Sequence, residues 1–159
     1  MSSDLSGDQN PESLGRELMV NKRYAEAEVM LLKALENREP INLHFVYNHF
    51  IELYYILRDQ RPDALEKCVM YCKADIEILP HFIRAYEGAY PGGPPRCPSI
   101  ERLAIIYEKA GRIQEAIDIC KRGIELGLEE AFDSYNARYG TNRGYKARIA
   151  KLEKKLKRQ

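Results

Sequence analysis

Apolar residues recur at three- and four-residue intervals along almost the whole chain, and no stretch alternates as a half-buried strand does. Asn10 followed by Pro11 predicts a first helix, capped by the asparagine, with Leu14, Leu18 and Met19 on its buried side. The polar run Asn21-Lys22-Arg23 turns the chain. Tyr24, Ala27, Leu31, Ala34 and Leu35 then mark one face of a second helix, which Pro40 limits. A third helix is expected from about Asn42 to Arg58, with Val46, Phe50, Leu53 and Leu57 as its core stripe. Tyr47, Ile51 and Tyr54 fall beside that stripe, so this helix should have neighbours on two sides.

Arg61-Pro62-Asp63 opens a fourth helix whose inward residues are read as Leu65, Cys68, Val69, Cys72, Ile76 and Leu79. Residues 80–98 form a Pro/Gly insertion, with a short helix over 80–88 as an option before the run from Tyr90 to Pro98 breaks all regularity. Pro98 starts a fifth helix (Ile100, Leu103, Ala104, Tyr107), and Ala110-Gly111-Arg112 turns the chain into a sixth (Ile113, Ala116, Ile117, Cys120, Ile124) that ends near Gly127. Residues 129–141 read equally as short helix or loop. A last helix, about 142–157, carries Tyr145, Ile149, Leu152 and Leu156 on one stripe. The expected class is all-α.

Composition adds three points. Hydrophobic residues at 45% and charged residues at 31% suit a folded, water-facing chain, and no run of roughly 18 apolar residues suggests a membrane span. The polar first nine residues, expected to be disordered, lack the basic start and apolar segment of a secretory signal, so a cytoplasmic location is expected. The net charge of +1 hides an asymmetry: residues 141–159 hold eight basic side chains against Glu153, +7, which leaves −6 for the first 140. The four cysteines are too few and too scattered for a disulfide framework and are read as thiols, with Cys97, beside Arg96, expected to be more exposed than Cys68 and Cys72. Cys68 and Cys72 are one helical turn apart, with His49 and His81 elsewhere, but both sit in an apolar stripe that explains them as core; no metal or cofactor is expected. Hydrolase, phosphate-loop and zinc-protease motifs are missing from the sequence, and the prolines of the 91–95 segment remove the N–H groups an anion cradle needs, so a non-enzyme is expected.

The segments LGRELMVNKRYAEAEVMLLKALE (14–36) and LAIIYEKAGRIQEAIDICKRGIE (103–125) share a Leu-small pair, a turn, Glu-Ala and a spaced apolar face. Leu14, Gly15, Tyr24, Ala27 and Ala34 in the first, and Leu103, Ala104, Tyr107, Gly111, Ala116 and Gly123 in the second, resemble the tetratricopeptide repeat. A weaker middle copy is anchored on Ala64, 37 residues after Ala27 and 52 before Ala116. The resemblance implies a right-handed superhelix of three antiparallel helix pairs over residues 10–128. Residues 129–159 would then be a linker and a basic helix that solvates the last repeat.

The resemblance also implies a groove on the first helix of each pair, taking an extended peptide or a partner's helix. Helical periodicity places Glu12, Arg16 and Met19 there on the first helix, Asn48, Glu52 and Tyr55 on the third, and Glu101, Ile105 and Glu108 on the fifth. The family's known carboxylate clamp is matched only in part by Asn48, Arg16 and Arg102, and Glu12 and Glu101 carry the wrong charge for it. Four glutamates against one arginine favour a basic partner, for which the chain's own C-terminal helix also qualifies. The alternative to this scaffold is an accessory protein that binds RNA or an anionic membrane through Lys151, Lys154 and Lys155.

Overall fold

The computed structural model describes residues 10–90, 92 and 97–159. Expectations for residues 1–9 and most of the 91–96 stretch therefore lie outside the described residues. Within the described residues the chain is all-helical, with no strand. Its helices are α1 (Pro11–Val20), α2 (Tyr24–Ala34), α3 (Pro40–Ile56), α4 (Ala64–Ala89), α5 (Pro98–Lys109), α6 (Ile113–Glu125), α7 (Glu129–Tyr139) and α8 (Tyr145–Lys157). The chain divides into two compact units, with the boundary between Asp75 and Ile76, inside α4.

The first unit is built on the α1–α2 hairpin. Asn10 accepts the Glu12 N–H at 2.9 Å through its side chain and Pro11 follows at the first helical position, so a donor the helix cannot use is satisfied and another is absent. Gly15 lies against Leu31, where an added Cβ would come within 2.7 Å of the leucine Cδ2. The two helices are therefore as close as a glycine allows. The turn between them carries Lys22 at φ 60°, in the left-handed region, and closes by a hydrogen bond from the Arg23 N–H to the Leu18 carbonyl at 2.9 Å. α3 packs on both helices, and its two-sided burial is as expected: Val46, Phe50 and Leu53 have no exposed surface, and Tyr47, Ile51 and Tyr54 are also buried. Phe50 stacks on Tyr71 of α4, centroids 4.3 Å apart.

Pro40 proves to be the opening residue of α3 rather than the stop of α2, which ends at Ala34. Two expectations for α4 need correction. Leu65 is exposed, because the inward stripe runs through the smaller Ala64, then Cys68, Cys72 and Asp75. Pro80 also does not end the helix, which continues to Ala89. An interior proline costs about 3 kcal/mol. Leu79 and Phe82 flank it with no exposed surface, and burying two such side chains contributes roughly 3–6 kcal/mol. The break in regularity thus falls after Ala89 rather than at residue 80.

The second unit repeats the hairpin of the first. α5 packs on α6, Ala104 and Ala116 are both without exposed surface, and the turn again holds one left-handed residue, here Gly111 at φ 78°. The Arg112 N–H donates to the Tyr107 carbonyl at 2.9 Å, the counterpart of Arg23 to Leu18. Even the exposed ion pairs match: Arg23 with Glu26 and Arg112 with Glu115. The 129–141 segment forms α7 as far as Tyr139. Its Glu129 carboxylate accepts the N–H groups of Tyr145 (2.8 Å) and Lys146 (3.2 Å), capping α8 from a neighbouring helix. α8 packs on α6, with the Tyr145 ring over Gly123 and edge-on to Phe132 at 5.1 Å. Leu152 is buried, whereas Leu156 at the far end of the stripe is exposed. Cys97, expected to be exposed, is buried next to Ser99 and Ile100 at the start of α5.

Candidate functional site

In the first unit, α1 and α3 run side by side and leave a recess of about 290 Å3 lined by Arg16, Met19, Val20, His49, Glu52 and Ile56. Its floor and rim are apolar: Met19 is buried beneath it, while Val20 is 74% and Ile56 39% exposed. Aliphatic surface of that size is unfavourable in water, and covering it lowers the free energy. Arg16 and Glu52 supply one charge of each sign. His49 forms part of the wall and bonds Glu12 at 2.7 Å. That hydrogen bond from His49 holds the Glu12 carboxyl below its ordinary range, against the opposing effect of partial burial.

Three residues expected in a groove, Arg16, Met19 and Glu52, thus line one recess, and Glu12 sits behind its wall. Tyr55 is half-buried, with the Arg58 guanidinium 4.0 Å from its ring centre. Asn48 is drawn inward instead. Its amide donates to His44 Nε2 at 3.0 Å, and the opposite ring nitrogen of His44 donates to Asp75 at 2.7 Å. His44 and Asp75 are fully buried, and one oxygen each of Asn48 and Asp75 has no hydrogen-bond partner among the described residues. This buried polar chain joins α3 to α4. Periodicity could not show it, because His44 and Asp75 occupy positions a core stripe normally gives to apolar residues.

The three groove residues expected on α5 lie in the second unit. Glu101 and Glu108 are both engaged by α8: Arg148 lies 3.5 Å from Glu101 and 4.0 Å from Glu108, and Lys155 pairs with Glu108. Ile105 is half-buried. Lys151 and Lys154 remain exposed. Of the cysteine pair weighed as metal ligands, Cys68 donates its thiol to the Ile51 carbonyl at 3.4 Å, and Cys72 is buried in the same layer.

Sequence reading missed Val20, His49 and Ile56. Val20 follows the buried Met19 and Ile56 falls between the half-buried Tyr55 and the buried Leu57, so a periodic reading of each helix alone does not join them. Only the side-by-side placement of α1 and α3 makes them one surface.

The chain matches no family model, no curated protein and no solved structure. Among the described residues, no helix is long and apolar enough to cross a membrane.

Proposed function

We propose that this chain is a small tetratricopeptide-like scaffold that holds a peptide or a partner's helix on its α1–α3 face. In this reading α1–α2, α3–α4 and α5–α6 are three repeats of a right-handed superhelix and α8 is the solvating cap. The matched turns of the α1–α2 and α5–α6 hairpins support the repeat, down to the left-handed residue and the arginine–glutamate pair that follows it.

The observation that carries the binding site is the recess itself, with Val20 and Ile56 exposed over a Met19 floor between Arg16 and Glu52. An apolar side chain of the partner would fill it, and the flanking charges would set the partner's register. Within the second unit Glu101 and Glu108 are already engaged by Arg148 and Lys155, so the proposed site is confined to the first unit.

The test is affinity capture with wild type and with Val20→Ser/Ile56→Ser, followed by titration of the purified partner. Loss of a retained partner, with affinity reduced at least tenfold and unfolding unchanged, supports the reading. Equal capture by both proteins removes it.

A further inference from the structure

A corner of the second unit, where α7, the 140–144 loop and the start of α8 meet, carries chemistry that the α1–α3 face does not use. Tyr135 and Tyr139 lie one turn apart on α7, with ring centroids 4.7 Å apart, and are 40% and 57% exposed. Each has a guanidinium over its face: Arg143 at 5.3 Å from the Tyr135 centroid and Arg138 at 5.4 Å from that of Tyr139.

The loop that presents Arg143 is fixed. The Asn136 side chain accepts from the Arg143 N–H and the Thr141 hydroxyl, both at 2.8 Å, and donates to the Arg143 carbonyl at 2.7 Å. Both backbone groups of Arg143 are therefore held by one side chain of α7. Arg143 also lines a recess of about 240 Å3, together with Arg148, Lys151, Phe132 and Tyr145. The carboxylate among its lining residues is Glu101, which Arg148 already approaches at 3.5 Å. Among the described residues, no carboxylate lies within ion-pair distance of Arg138, Arg143 or Lys151.

We propose that this corner binds single-stranded nucleic acid, with bases stacked on Tyr135 and Tyr139 and the adjoining phosphates on Arg143 and Lys151. Exposed aromatic faces interleaved with cations are what single strands use, because every base has a flat face and each nucleotide brings one negative charge. An acidic peptide would use the cations but leave the ring faces idle. The +7 charge of residues 141–159 extends the attraction beyond the contact itself. The site shares no residue with the α1–α3 recess, so either reading can fail without the other.

The test is fluorescence anisotropy of the full chain with a labelled oligouridylate of about twelve nucleotides, as salt is raised from about 50 to 200 mM. Saturable binding is expected to weaken roughly tenfold in Tyr135→Ala/Tyr139→Ala and to persist in Tyr135→Phe/Tyr139→Phe, with thermal unfolding unchanged in both. Arg143→Gln/Lys151→Gln, which removes two phosphate contacts, should reduce the magnitude of the slope of log affinity against log salt by about 1.4. Three results would overturn the proposal: no binding at the lowest salt, equal affinity in the Tyr→Ala variant, or tighter binding to phosphatidylserine-containing vesicles than to the RNA.

Discussion

Gly123→Ala should destabilise the second unit even though it replaces a helical glycine by the best helix former. In a free helix that change stabilises by up to about 1 kcal/mol. Here the new Cβ would lie 2.7 Å from Cε2, 2.9 Å from Cδ2 and 3.0 Å from Cζ of Tyr145. Carbon atoms rest about 3.5–4.0 Å apart, so the ring must retreat by roughly 0.8 Å. It has little room, because it is buried against Phe132 and its own N–H is tied to Glu129. Overpacking of this kind costs about 1–3 kcal/mol, which leaves a net loss of roughly 1 kcal/mol after the helix gain. Gly88→Ala is the matched control: it is also helical, but nothing lies within 4 Å of its added Cβ, and it should be neutral or slightly stabilising. Thermal unfolding followed by far-UV circular dichroism should show Gly123→Ala lower than wild type by roughly 3–6 °C and Gly88→Ala level with it or above. If Gly123→Ala melts with or above Gly88→Ala, α8 does not seat on α6 as described.

Further expectations concern the turn, the cap, acid and the thiols. Lys22→Gly should raise stability by roughly 0.5–1 kcal/mol in urea titration, because it relieves a left-handed non-glycine that the equivalent Gly111 does not suffer. Deleting residues 142–159 should lower both the melting temperature and the solubility, since Gly123 and the surface under Leu152 become bare; an unchanged melt would remove the capping role. Glu12 and Glu28 both have carboxyls held below their ordinary value. In Glu28, burial opposes ionisation but hydrogen bonds from Tyr54 and Arg61 outweigh it. Their stabilisation is therefore complete above about pH 4.5 and is lost as pH falls below it, so Glu12→Gln/Glu28→Gln should flatten the acid limb of a melting-temperature profile. All four thiols are buried, and burial pushes Cys120 up to about 11, so a disulfide reagent should label none of them natively and all four in denaturant.

The helices were legible where periodicity, caps and turns agreed. Asn10-Pro11 marked α1, and the polar turns at 21–23 and 110–112 marked both hairpins. What escaped was decided by tertiary packing. Pro80 reads as a stop, but the burial of Leu79 and Phe82 carries the helix through it. Leu65 reads as core because it is large, yet the buried position belongs to Ala64. The candidate site was half legible: Arg16, Met19 and Glu52 follow from helical phase, whereas Val20, His49 and Ile56 join them only through the α1–α3 pairing. The His44–Asp75 chain and the tyrosine pair of α7 needed distances that no single-helix pattern contains.

The most direct test of the binding face is site-specific photo-crosslinking. A photoreactive residue is placed at Arg16 or Glu52, which line the recess, and at Gln114 on the exposed side of α6 as control. One discrete crosslinked species is expected from positions 16 and 52, lost when Val20→Ser/Ile56→Ser is added, and none from position 114. The same species from all three positions, or crosslinks that survive the double substitution, would contradict it.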